Sequence, residues 1–255
     1  MGSIGYRWTD GEDDGELSLV HVQGTHDAPY SFGDPPHAVP VTVQDFFLGI
    51  APVTQGFWHH ITANDSPAVH CGSDLPVENV SWDELTAPDG FLQRVNESAA
   101  AASLREQAGR PLTFRLPTET EWEYAARGGP HWRDGYQYSG SNDIGAVAWY
   151  DRRHGDRTQP VAKKAPNQLG IYDMSGNIWE WCEDTFSRDL RAIPVNGTAY
   201  EGPGEERVLR GGCFHNWARH CTVSKRYEIA HDFHDGCIGF RLVMAEPRPS
   251  ERGGA

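Results

Sequence analysis

The sequence predicts an α+β domain in which two helices and a small antiparallel sheet are set among long irregular loops. Three observations predict it. Two segments carry helix-start signatures, Ser81-Trp82-Asp83-Glu84 and Thr118-Glu119-Thr120-Glu121. In each, the hydroxyl can cap the helix while the carboxylate three residues on returns a bond to the cap. From residue 130 onward turn formers recur, among them Asp134-Gly135, Ser139-Gly140, Ser175-Gly176-Asn177, Asn196-Gly197 and Gly211-Gly212, and they keep regular elements short. The composition, 9 Trp, 28 Gly and 17 Pro with 38% hydrophobic residues, is that of a chain that buries large aromatics under loops rather than layering aliphatic elements.

The elements follow in order. Residues 1–36 read as an acidic loop, with Asp10 to Glu16 solvated. Val41, Val43, Phe46, Leu48 and Ile50 predict a strand with imperfect alternation. Pro52-Val53-Thr54 starts a turn, and Phe57-Trp58 opens a short helix. Pro76 to Val80 reads as extended. The helix that starts at Ser81 pauses at Pro88 and runs again from Phe91 to about Gln107, with Ala99 to Ala102 as strong helix formers. Gly109 ends it. In the second helix Trp122, Ala125 and Ala126 share one face, and Gly128-Gly129-Pro130 stops it. Val208-Leu209-Arg210 and Ile238 to Val243 read as closing strands. No internal repeat is visible.

A chain of 255 residues is long enough to bury a core without a disulfide or zinc staple. Its expected organisation is an N-terminal extension over 1–30, one domain over 31–245 and a tail over 246–255. Its formal charge of −14 is opposite to what phosphate neutralisation needs, which argues against nucleic acid and against a polybasic membrane surface. No apolar run is long enough to span a bilayer, and the N-terminus lacks a signal-peptide core. Tyr6 stands where a myristoylation site wants Ser or Thr. Five cysteines do not make a disulfide framework, so a reducing cytoplasm is the default compartment, with display on a host or phage surface left open.

Three blocks carry a resemblance. They are Arg115 to Gly129 (RLPTETEWEYAARGG), Gly170 to Trp181 (GIYDMSGNIWEW), and Arg210-Gly211-Gly212 closed by Gly239-Phe240-Arg241. With Pro52-Val53-Thr54 and Val80-Ser81-Trp82 they make the chain, over about residues 30–245, similar to the formylglycine-generating enzyme or sulfatase-modifying factor family. The resemblance implies a variant of the C-type lectin fold. It leaves function open, because some relatives oxidise a substrate cysteine, some form the catalytic half of sulfoxide synthases and some are variable ligand-binding proteins of diversity-generating retroelements.

The oxidase pattern needs two cysteines five residues apart after Arg-Gly-Gly. Those positions fall at Asn216 and Cys221. An amide cannot replace a thiolate on copper(I), so copper is not expected and Cys221 reads as a small apolar residue; as an oxidase residue it is the alternative. The sulfoxide synthases hold iron with histidines of a preceding helical domain, for which there is no room before Pro40, so iron is not expected either. Residues 213–237 carry four of the 12 His and three of the five Cys. His215, His220, His231 and His234 with Cys213, Cys221 and Cys237 are zinc-type donors, but no Cys-x-x-Cys pair is present, and they read mostly as surface side chains.

Between the fixed ends at Arg210 and Arg241 the segment is chemically scattered. In retroelement-variable proteins, randomised adenines of codons such as AAC yield Asn, Tyr, His, Asp, Phe, Cys, Ile, Gly and similar residues, but never Trp, Lys, Glu, Gln or Met. Only Trp217, Lys225 and Glu228 break that rule in residues 213–237. The preferred reading is therefore a recognition surface built by Phe214, His215, Asn216, Trp217, His220, Tyr227, Ile229, His231, Phe233, His234 and Asp235 for a protein or other ligand. Aromatic side chains there give contact area at low entropy cost. The resemblance further implies a structural calcium held by Asp173 and Glu180 side chains and by the carbonyls of Gly176 and Ile178, since hard oxygen donors suit that ion.

Overall fold

A computed structural model of the protein describes residues 2–10, 13–26 and 28–247. The strands are β1 (Ile4–Asp10), β2 (Asp13–Val22), β3 (Tyr30–Phe32), β4 (Val39–Val41), β5 (Phe46–Gly49), β6 (Thr113–Arg115), β7 (Trp179–Thr185), β8 (Glu206–Arg210), β9 (Arg226–Ala230), β10 (Ile238–Gly239) and β11 (Val243–Ala245). The helices are α1 (Gln55–Thr62), α2 (Trp82–Thr86), α3 (Phe91–Glu97), α4 (Ala99–Ala108), α5 (Glu119–Ala126) and α6 (Ile144–Val147). One sheet has the order β1-β2-β5-β11-β6, a second β10-β7-β8-β9, and β3 pairs β4 alone. All pairs are antiparallel except β10 with β7.

Both helix starts form as their sequences predict. Ser81 and Thr118 each accept the backbone N–H three residues on, and Glu84 and Glu121 return a bond to the cap. Gly109 closes α4 in the left-handed region at φ 67°, where its N–H reaches the carbonyls of Arg105 and Glu106. The helix expected over 91–107 is split at Ser98. Its backbone is extended and its hydroxyl captures Ala101 N–H, the local competition with helix that serine offers.

The strand expected over 41–50 is two strands, β4 and β5. In β5 the side chains of Phe46 and Leu48 enter one core cluster and Phe47 enters the other. A strand buried on both faces reads as an apolar run rather than an alternation. One cluster fills the space under α1, α3 and α4, with Phe57, Phe91, Leu104 and Phe240; the other packs Tyr30, Phe32 and Trp122.

The loop expected over residues 1–36 is instead largely strand. β1 and β2 pair as a hairpin that extends the sheet through β2 and β5, and Trp8 packs against Phe57 and His60. Period-two placement of Ile4, Tyr6 and Trp8 opposite Leu19, Leu17 and Gly15 was hidden by the acidic residues between the two strands. Of the acidic stretch, Asp14 and Glu16 are exposed, while Gly11 and Glu12 lie outside the described residues. The expected tail lies outside them from Arg248 on. Among the described residues no helix is long and apolar enough to cross a membrane.

Candidate functional site

Glu180 sits on β7 between two partners. Arg210 of β8 pairs with it on one side and Gly239 of β10 on the other. This register places the two ends of segment 213–237 on either side of one central strand, about two strand spacings apart. A Cβ at Gly239 would lie 2.1 Å from the Val77 carbonyl oxygen, so only glycine lets that end of the segment approach.

The frame is held by buried ion pairs. Arg241 donates Nη2 and Nε to Glu180 at 2.7 and 2.8 Å, and Trp122 Nε1 donates to Glu180 Oε2 at 2.6 Å. Arg210 pairs with Glu123 and also donates to the carbonyls of Val223 and Ser224 at 2.8 and 2.9 Å. Arg226 forks onto Glu119 with two bonds of 2.6 Å. Fork geometry of this kind satisfies both charges at once. The carboxylates of α5 thus tie segment 213–237 to the core.

The segment leaves β8, makes a short 3₁₀ turn over Ala218–His220, forms β9 and returns through a loop to β10. Its large apolar side chains divide. Trp217, Tyr227 and Phe233 are 57%, 45% and 42% exposed, whereas Phe214 is 9% exposed and joins the core. His234 and Asp235 are exposed, and His215, Asn216, His220, Ile229 and His231 are half-buried. Tyr227 stacks on Trp179 at 5.4 Å, and Ile229 packs against the first cluster. His231 and His234 reach Asp83 and Asn79 at 2.7 and 2.9 Å. Phe214 therefore belongs to the core, not to the face.

The cysteines are separated by environment. Cys221 is buried, and burial pushes its thiol up to about 12. Asn216 turns to Cys213, not to Cys221: its Oδ1 accepts the Cys213 N–H at 3.0 Å and lies 3.2 Å from Sγ. Cys213, His215 and Cys237 bring their donor atoms within 4.8 Å of one another, the single such group of three or more among the described residues. Burial alone would raise the Cys213 thiol, but the Cys237 and His215 side chains beside it pull it below its ordinary value. The same contact with Cys213 raises His215 and Cys237. His220, His231, His234 and Cys221 stand outside this group. No sequence spacing announces it, because its cysteines meet only through the sheet register.

The oxygen donors of the Gly170–Trp181 block are differently placed. Asp173 is buried with φ 57°. Its Oδ2 accepts Ala162 N–H at 2.7 Å, while Oδ1, beside the Asn177 side chain, is buried without a hydrogen-bond partner of ordinary geometry. Burial raises this carboxyl to about 6. Glu180 spends bonds from both oxygens on Arg241 and Trp122. The orphaned Asp173 oxygen fits a cation, and of the Glu180 carboxylate one lone pair, on Oε1, remains beyond those bonds.

A frame of buried arginine–glutamate pairs around an irregular, half-exposed segment is the formylglycine-generating variant of the C-type lectin fold. The chain belongs to the family described as sulfatase-modifying factor enzyme 1-like, which matches residues 14–246. It is 34% identical over 187 residues to the chaperone protein LppX of Paenibacillus barcinonensis, covering 58% of this chain and 65% of that one. To the formylglycine-generating enzyme of Streptomyces coelicolor it is 33% identical over 186 residues, covering 66% and 52%. The chain thus spans between about half and two thirds of these relatives' length. Among solved structures, Treponema denticola variable protein 1 matches with a TM-score of 0.75 and 27% identity, covering 95% of this chain and 99% of that one.

Proposed function

We propose that the protein is a ligand-binding scaffold whose recognition face is carried by residues 213–237 and was diversified by a retroelement. One observation carries the reading: large aromatics, Trp217, Tyr227 and Phe233, stand exposed on a segment whose two ends are anchored by fully buried Arg210 and Arg241. Rigid aromatic anchors with adaptable His and Asp neighbours are the chemistry of paratope-like surfaces. Near-full-length similarity to a variable protein supports it. The partner it fits is a protein or other ligand with an accessible apolar patch. The test is the DNA beside the gene. A near-identical repeat of the segment, differing only at adenines and adjacent to a reverse transcriptase, is the expected result. Its absence removes the diversification.

The second reading is the oxidase, favoured by identity to a formylglycine-generating enzyme. Against it stand Asn216 at one expected thiol position and a Cys221 thiol that burial keeps protonated. We further infer a structural calcium at Asp173, Glu180 and the carbonyls of Gly176 and Ile178, supported by the orphaned Asp173 oxygen. When bound, that ion would supply charge compensation and cross-linking between loops, not chemistry.

A further inference from the structure

We propose that Cys213, His215 and Cys237 bind one zinc ion, which staples together the two ends of the recognition segment. The donor atoms already lie within 4.8 Å of one another. A tetrahedral zinc with Zn–S of about 2.3 Å holds two sulfurs roughly 3.8 Å apart, so side-chain adjustment closes the remaining gap. Both cysteines are buried and His215 is half-buried, which protects thiolates from bulk solvent.

The backbone positions these ligands independently of any ion. Cys237 donates its N–H to Asp235 Oδ1 at 3.1 Å and accepts Trp179 N–H at 2.8 Å, which fastens it to the β7 edge. Cys213 donates its N–H to Asn216 Oδ1 at 3.0 Å. Such outer contacts orient metal ligands.

The donor set selects the ion. Two thiolates and a neutral imidazole on a divalent cation sum to zero charge, which suits a mostly buried place; on copper(I) they leave an uncompensated negative charge. Thiolate and imidazole are borderline-to-soft donors and disfavour calcium or magnesium. Three protein ligands leave the fourth position for water or for a donor atom of the bound partner. The ion closes the loop between residues 213 and 237 at its base and lowers the entropy lost when the face engages a ligand. The two cysteines then belong to the fixed frame, and the proposal holds whatever the history of the exposed residues between them.

The test uses the full chain, purified in reductant and stripped of metal. Cobalt(II) is titrated first and zinc(II) second. Expected are one cobalt per chain, intense thiolate-to-cobalt charge-transfer and tetrahedral absorption bands, and their loss on adding one equivalent of zinc. C213S and C237S should each remove the charge-transfer bands, while C71S, at an exposed cysteine, should retain them. A wild-type chain without thiolate bands at stoichiometric cobalt overturns the site, and needs no variant to fold. Bands that persist in both C213S and C237S overturn it too, as does uptake of copper(I) with no uptake of cobalt or zinc.

Discussion

Asn216 Oδ1 accepts the backbone N–H of Cys213 at 3.0 Å. The side chain at the position where an oxidase would place a thiol is thus spent on holding a turn. Cys221, the other position, is a buried thiol raised to about 12, which leaves a negligible thiolate fraction at neutral pH. The chain should not convert a Cys-x-Pro-x-Arg peptide to formylglycine with copper and oxygen. Mass spectrometry of the peptide checks this, and a mass loss from the cysteine with turnover contradicts it.

The calcium inference predicts that a chelator lowers the melting temperature and that added calcium restores it, because binding to the native state alone stabilises by mass action. Asp173→Ala should abolish the response. Glu180→Ala is the poorer probe, since it strands Arg241 in the core and costs about 3–5 kcal/mol by that route alone. A melting curve indifferent to chelator in the wild type removes the ion.

Much of the frame was readable in the residues because its signals are local. Thr118 and Glu121 announce a capping box, Gly109 a helix stop, and Trp122 with Ala125 and Ala126 a buried helix face; each needs only neighbours within a turn or two. The N-terminal strand pair was not legible because its few apolar residues are split by an acidic stretch of sequence, and their burial depends on α1 supplying Phe57 and His60. Cys213 and Cys237 were equally opaque. Their meeting requires Glu180 to pair with both Arg210 and Gly239, a relationship between three distant strands.

Asp184 gives a pH dependence with a defined sign. Burial, then the nearby Glu119 charge, raise this carboxyl from 3.8 to about 8, although it accepts N–H bonds from Glu119 and Tyr200 at 2.7 and 2.8 Å. A group raised in the folded state binds more protons there than in the unfolded chain. Its stability contribution is fully present below about 3.8 and is lost as pH rises through about 8. Wild-type stability should therefore fall more steeply between pH about 4 and pH about 8 than that of Asp184→Asn, which has no proton to release on unfolding there. Parallel urea titrations at several pH values measure this, and equal slopes would remove Asp184 as the cause.

Recognition face and frame should differ in what their side chains contribute to stability. Trp217 and Phe233 are exposed, so Trp217→Ala and Phe233→Ser should each shift stability by under about 0.5 kcal/mol. Tyr227 and Ile229 should cost more, because one stacks on Trp179 and the other packs against the core. Trp122→Ala deletes a fully buried ring and the donor to Glu180, and should cost about 3–5 kcal/mol. Trp179→Ala should fall in the same range and also loosen Tyr227. Denaturant unfolding of variants at these six positions gives the order. The scaffold reading requires a gap of several-fold between the Trp217 and Phe233 variants and the Trp122 and Trp179 variants. Collapse of the fold on changing Trp217 or Phe233 would mean that the segment is packed as core, and a packed core cannot tolerate the residue-by-residue variation that a diversified face demands.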